Sequence, residues 1–318
     1  MNKIYQAMGI TKQSFHQMMN KIYKLRSEQE QLLMLIGQIR EEHPTMGIRD
    51  MYYKLRPLSM GRDTFEMFCK EHHLTSIRTK NWHRTTDSSG VIRFDNLLKI
   101  KVLTSINQAW QSDITYYEVE GRFYYITFIL DSFSRRILGY SVSKRLLTEQ
   151  TTLPALSMAI KLRKNQGQLI IGVIFHSDGG GQYYDKEFLK LTENEKILNS
   201  MCEYAWENGK AERLNGVIKN NYLIHRKIRS FEELTKEVDR TVLLYNKEKP
   251  HIELQRKSPN EFEKYYICNG QQSDGDKSMT ELTTQIPGDF SALRAEDNNP
   301  SGSNITQELT THKMKISE

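Results

Sequence analysis

An α/β protein, with a mixed five-stranded sheet, flanking helices and an all-α region in front, is what this sequence predicts. Three observations predict it. Residues 1–80 carry helical apolar spacing punctuated by Pro44 and Pro57. Residues 108–143 then turn abruptly β-branched and aromatic. From residue 148 onward, helix-type and strand-type apolar patterns alternate.

Taken in order, 1–9 and 11–24 read as two short amphipathic helices broken at Gly9, with Thr11 placed to cap the second. Helices at 28–42, 46–55 and 61–73 follow, parted by the prolines. The last sets Arg62, Thr64 and Lys70 beside an apolar face of Phe65, Phe68 and Cys69. In a helix-turn-helix this helix would enter the major groove. A small bundle with a basic solvated face fits the segment nearly as well. Residues 81–104 are polar and irregular and predict a linker. Strands at 108–119, 122–131 and 136–143 come next, with Glu120-Gly121 as a hairpin turn. A helix at 148–164, a buried strand at 169–175 and a helix at 185–193 follow, then a short strand at 197–202 and a helix at 207–222. That succession is the order of a ribonuclease H-like layered fold. One more amphipathic helix, 231–246, closes a core spanning 105–268. From 269 to 318 polar residues dominate and aromatic residues nearly vanish, which predicts a disordered tail.

The formal charge of +6 is uneven. From Gly270 onward four Lys/Arg stand against eight Asp/Glu, a net of −4, so the first 269 residues carry +10. A basic body favours a polyanionic partner, DNA or RNA, although surplus lysine also serves solubility. Cys69, Cys202 and Cys268 are scattered without CxxC spacing, which argues against a disulfide framework and a structural zinc site. The adjacent His72 and His73 lack partner cysteines. No signal pattern or membrane-length apolar run is present, so a soluble, cytoplasmic protein is expected.

Three acidic residues carry the chemistry: Asp113 in WQSDITYY, Asp178 in IFHSDGGGQY and Glu212 in WENGKAERLNG. Two carboxylates on strand-like segments and one on a helix can converge as hard oxygen ligands for one or two Mg²⁺ ions beside a scissile phosphate. Singly, each aspartate reads more readily as a turn or surface carboxylate. The glycines after Asp178 allow close approach, but neither nucleotide-loop glycine signature is present. Glu212 shares a helical face with Asn208, Asn215, Gly216 and Lys219, which suits a metal ligand flanked by phosphate contacts; a solvated face is the plainer alternative. Asp131, in FILDSFSRR, reads as a structural cap of a turn, and His176 as a supporting histidine behind Asp178.

Five strings in order, WQSDITYY, FILDSFSRRILGY, FHSDGGGQY, NSMCEYAWENGKAERLNGVIKNNYL and LYNKEKPHIELQRKSPNEF, resemble one family. It is the bacterial insertion-sequence transposases whose catalytic core is like retroviral integrase. The resemblance runs from about His43 to about Phe262, and HPTMGIRDMYYKLR is similar to the family's helix-turn-helix segment. The stretch from Ser200 to Glu212 is shorter than the family pattern by about two residues. Glu207-Asn208 stands where Asp-Asn is usual, and the polar tail has no counterpart.

The resemblance implies a catalytic, metal-binding triad of Asp113, Asp178 and Glu212, holding two Mg²⁺ with Mn²⁺ able to substitute. It implies nicking of double-stranded DNA at an element's ends and joining of the freed 3′-hydroxyl to target DNA. It further implies at least a dimer on DNA, with an upstream-frame protein as a conceivable partner and an association with the nucleoid through DNA. Arg62, Lys70, Asn208, Asn215 and Lys219 are the candidate DNA-binding residues. A nuclease that only cuts, or a DNA-binding repressor with a dead core, would share parts of this pattern.

Overall fold

The computed structural model describes Tyr5, residues 9–76 and residues 94–270. The predicted tail beyond Gly270, the helix expected at 1–9 apart from Tyr5 and Gly9, and most of the predicted linker lie outside the described residues.

The N-terminal region is three helices: α1 (Lys12–Glu42), α2 (Ile48–Leu55) and α3 (Arg62–Glu71). Thr11 caps α1 as expected, its hydroxyl accepting from the Ser14 amide at 3.0 Å. The break expected between 24 and 28 is absent, because no glycine or proline interrupts the backbone ladder there, and α1 runs on for 31 residues. Its C-terminal half buries Leu32, Ile36 and Ile39 against Met51, Phe65, Phe68 and Cys69, a small core of its own. The Arg40 guanidinium donates to the carbonyls of Pro44, Met46 and Leu74 and so binds both ends of this unit together. His43, 2% exposed, joins it to the following layers: Nδ1 meets the Tyr222 hydroxyl at 3.0 Å and Nε2 the Glu248 carboxylate at 3.4 Å.

The sheet holds five strands, β1 (Ala109–Val119), β2 (Arg122–Asp131), β3 (Ile137–Ser143), β4 (Ile174–Ser177) and β5 (Leu198–Met201), in the order β3-β2-β1-β4-β5. β1 to β3 are antiparallel neighbours; β4 pairs parallel to β1, and β5 parallel to β4. The hairpin at Glu120-Gly121 forms with both residues at positive φ, the geometry a two-residue hairpin turn requires. The strand predicted at 169–175 is a correction. Only Ile174–Ser177 pairs, while Leu169 and Ile171 are 81% and 67% exposed and Gly172 turns through a φ of 77°.

Helices cover both faces. Helices α4 (Thr152–Asn165) and α5 (Lys186–Asn194) pack one side around Trp110, Ile129, Leu156 and Phe175. On the other side, α6 (Gly209–Asn221) and α7 (Phe231–Glu248) pack around Phe128, Leu130, Leu214 and Val238. Alternation along β1 and β2 sends neighbouring residues to opposite cores. The last helix, α8 (Pro259–Gly270), is held by a buried ionic cluster. Arg163, fully buried, donates to both Glu263 oxygens at 2.6 and 2.8 Å and to Asp131 at 3.2 Å. Residues 94–97, expected as linker, are pinned instead: Leu97 N donates to Ser200 Oγ at 2.9 Å and Phe94 stacks on Tyr184.

Candidate functional site

Asp113 sits in mid-β1 on the α6 side, Asp178 directly after β4, and Glu212 in the first turn of α6. β1 and β4 are parallel neighbours, so the two aspartates stand on adjacent strands, and α6 lies across β1. Asn215 Nδ2, one turn beyond Glu212, donates to Asp113 Oδ2 at 2.8 Å. Asp178 Oδ1 accepts the Gly180 amide at 3.1 Å. At Gly179 φ is 84°, and a Cβ there would run into Met201, so the turn after Asp178 needs glycine.

The three carboxylates sense one another. Burial and the charges of Asp178 and Glu212 push Asp113 up to about 7, against the Asn215 hydrogen bond. Glu212 is raised by partial burial and then by Asp178. Asp178 is exposed, yet the packed strand ends around it raise its carboxyl through desolvation. Beneath them Tyr183, buried, meets Ser112 Oγ at 2.9 Å, and the Ser112 hydroxyl donates to the Phe128 carbonyl. Nothing in the sequence marked Ser112 or Tyr183 beyond strand alternation. Lys219 borders the group, its Nζ 3.3 Å from Thr115 Oγ1 and 5.0 Å from the Tyr116 ring centroid. Burial lowers its ammonium while Asp113 holds it up.

Among the described residues no three His, Cys, Asp or Glu side chains are arranged closely enough to hold a metal ion outright. The donor chemistry nevertheless fits a hard divalent cation. All three carboxyls are raised, chiefly by desolvation, and Asp113 also by the charges of the other two, a repulsion that a cation would relieve.

The five residues expected to touch DNA divide. Arg62 and Lys70 are exposed on α3, Arg62 in contact with Asp63. Asn208 is 1% exposed with its amide donated to the Ser112 carbonyl at 2.9 Å, and Asn215 is 5% exposed. Packing of α6 on β1 turns both inward, where Asn208 holds the β1 backbone and Asn215 holds Asp113. Asp131 caps its turn as expected, accepting from the amides of Phe133 and Ser134 at 3.0 Å. His176 is buried with Nδ1 against Ser200 Oγ at 3.0 Å, and burial lowers it to about 4.

Strand order and acidic placement define a ribonuclease H-like core. Two integrase core domain families match this chain, one over residues 104–205 and one over residues 195–259. The "Insertion element IS600 uncharacterized 31 kDa protein" of Shigella sonnei is 26% identical over 82% of this chain and 98% of its own length. The "Transposase for insertion sequence element IS629" of Shigella sonnei is 28% identical over 59% of this chain and 62% of its own length. The "Putative transposase for insertion sequence element IS986/IS6110" of Mycobacterium tuberculosis is 32% identical over 37% of this chain and 43% of its own. The chain thus spans nearly all of the first relative and less than two thirds of the other two. The HTLV-2 integrase catalytic core domain, solved with magnesium, is 20% identical with a TM-score of 0.38, covering 49% of this chain and 96% of that one. That likeness is loose, and the fold rests on the strand order itself.

The chain carries an integrase core domain over residues 104–259 and is similar, over most of its length, to a protein of a bacterial insertion element.

Proposed function

We propose that this protein is a DDE-type transposase that cuts DNA at the ends of a mobile element and joins the freed strand to new DNA, using Asp113, Asp178 and Glu212 as its catalytic carboxylates. The observation that supports this reading is the placement of the three carboxylates on β1, directly after β4 and in the first turn of α6, with Asn215 of α6 hydrogen-bonded to Asp113 at 2.8 Å. Asp113, Asp178 and Glu212 would hold divalent cations, Mg²⁺ by preference. Such ions would neutralise charge on a phosphate and ease deprotonation of an attacking oxygen.

In the first reaction water attacks a phosphodiester, leaving a 3′-hydroxyl on one side and a 5′-phosphate on the other. In the second that 3′-hydroxyl attacks a target phosphodiester in line, one bond forming as another breaks, so the number of phosphodiesters is conserved. Asn215 holds the Asp113 carboxylate in place, and Lys219, whose Nζ lies beside Thr115, would meet a non-reacting phosphate oxygen. The carboxylates would act as ligands rather than as proton carriers. Helices α1 to α3 would hold the element's terminal repeats through Arg62 and Lys70, each lost phosphate contact flattening the salt dependence by about 0.9 log units. Two DNA ends call for at least two protomers, working in the cytoplasm on chromosomal DNA.

The test is an incubation of purified protein with labelled DNA carrying the gene's flanking ends, with Mg²⁺, with EDTA, and with Glu212→Gln. Metal-dependent nicking followed by joining, absent in the variant, supports the reading. Binding without cleavage under every condition, or full activity in Glu212→Gln, would overturn it.

A further inference from the structure

Two large aromatic side chains stand in the open just ahead of α6. Trp206 is 74% exposed and Tyr204 52%, and their rings lie 4.5 Å apart between centroids at an interplanar angle of 3°. Water contact over so much apolar ring surface opposes burial, the main force acting on tryptophan. The pair is nevertheless held in place. The Glu207 carboxylate accepts the amides of Glu203 at 2.7 Å and Tyr204 at 3.1 Å, and Lys99 pairs with Glu203 at 3.1 Å. A braced, face-to-face pair leaves flat outer ring faces available to a third planar group.

Trp206 borders a cleft of about 660 Å³ on the flank of α6 away from Glu212, whose cationic lining is Lys101, Arg135, Lys210 and Arg213. Of its two acids, Glu207 is committed to the turn amides and Glu253 to Arg135. Lys101 and Arg213 have no ion-pair partner among the described residues, and Lys210 donates only to the Ser132 carbonyl, at 2.9 Å. The excess positive charge is felt nearby: burial and the charges of Lys249, Arg135 and Arg213 hold His251 neutral down to about 3.

Flat aromatic faces beside unpaired cations match a nucleic-acid strand whose bases are free to stack. We propose that this cleft binds an unpaired stretch of DNA strand, a base stacking on the Trp206–Tyr204 pair and its phosphates meeting Lys101, Lys210 and Arg213. The proposal rests on the strand-transfer reading above and extends it. A helix is roughly 10–12 Å across, about three steps of a DNA strand, so one DNA end reaches both the Glu212 flank and this cleft. The site therefore favours DNA ends whose terminal base pairs are open.

The experiment compares two labelled DNA ends by fluorescence anisotropy, one fully paired and one carrying a short unpaired tail that contains 2-aminopurine. Wild type, Glu212→Gln, Trp206→Leu and Arg213→Glu are each measured. Wild type and Glu212→Gln should prefer the tailed end on the order of tenfold, with quenching of the 2-aminopurine as it stacks. Trp206→Leu should lose both the preference and the quenching while keeping its affinity for the paired end. Arg213→Glu should lose most of the preference. Equal affinity of wild type for the two ends, or a preference that survives Trp206→Leu, overturns the proposal and leaves the strand-transfer reading standing. Failure of wild type to bind either DNA overturns both.

Discussion

Asn215 donates its amide to Asp113 at 2.8 Å and thereby clips α6, which carries Glu212 one turn earlier, to the middle of β1. The bond favours the charged carboxylate against the burial that opposes it. Hydrogen bonds to charged groups contribute about 1.5–3 kcal/mol. Asn215→Ala should therefore slow DNA cleavage by roughly ten- to a hundredfold while leaving DNA affinity intact. Single-turnover nicking alongside a binding titration would check this; a proportional fall in affinity would remove Asn215 from a positioning role.

Asp113 and the buried Arg163–Glu263 pair should respond to substitution in opposite ways. Asp113 is raised to about 7 from an ordinary 3.8, so its ionisation opposes folding as pH rises from near 4 to 7. Without metal, Asp113→Asn should match or exceed wild-type stability at pH 8 and lose cleavage altogether. Glu263 instead pairs with Arg163 in the cluster that also holds Asp131, and, against burial, Arg163 keeps its carboxyl below the ordinary value. Glu263→Ala strands the buried Arg163 guanidinium and should cost about 3–5 kcal/mol. Urea denaturation of the three proteins separates the cases, and an undiminished midpoint in Glu263→Ala would dismiss the cluster as a stabilising clamp.

Acid should weaken the fold through His251. Burial and the neighbouring cations lower it from 6.5 to about 3, so the folded state resists a proton that the unfolded chain takes up. The stability tied to its neutral form is complete above pH 6.5. It is lost as pH falls from 6.5 toward 3, at up to about 1.4 kcal/mol per pH unit. His251→Gln should flatten that acid limb in a series of unfolding curves. An unchanged slope would locate the acid sensitivity elsewhere.

Gly139 marks the closest approach of β3 to α4. A Cβ there would run into the Ala155 carbonyl and stand 2.9 Å from the Ala159 nitrogen, both backbone atoms that cannot swing aside. Gly139→Ala should lower stability by about 2–3 kcal/mol, visible as a drop in thermal midpoint. Wild-type melting would mean that α4 shifts freely on the sheet.

The pattern of residues by itself determined the elements whose signal is local. Strands β1 to β3 fall within a residue of their predicted ends because period-two alternation and a two-residue turn are properties of neighbouring residues. The Thr11 cap and the Asp131 turn are likewise short-range hydrogen bonds. Asp113, Asp178 and Glu212 were singled out by residue type and setting, and the family resemblance marked the same three; their catalytic role is the proposal made above. Only the tertiary structure decided the rest. Leu169 and Ile171 look like strand interior, yet β4 begins at Ile174 because pairing with Ala109 of β1 sets its start. Asn208 and Asn215 share a polar helical face with Glu212, but α6 rolls that face onto β1, burying the two amides and leaving the carboxylate open. Register and burial depend on residues a hundred positions apart, and desolvation, the first cause of the raised Asp113, Asp178 and Glu212 carboxyls, exists only once those partners have met.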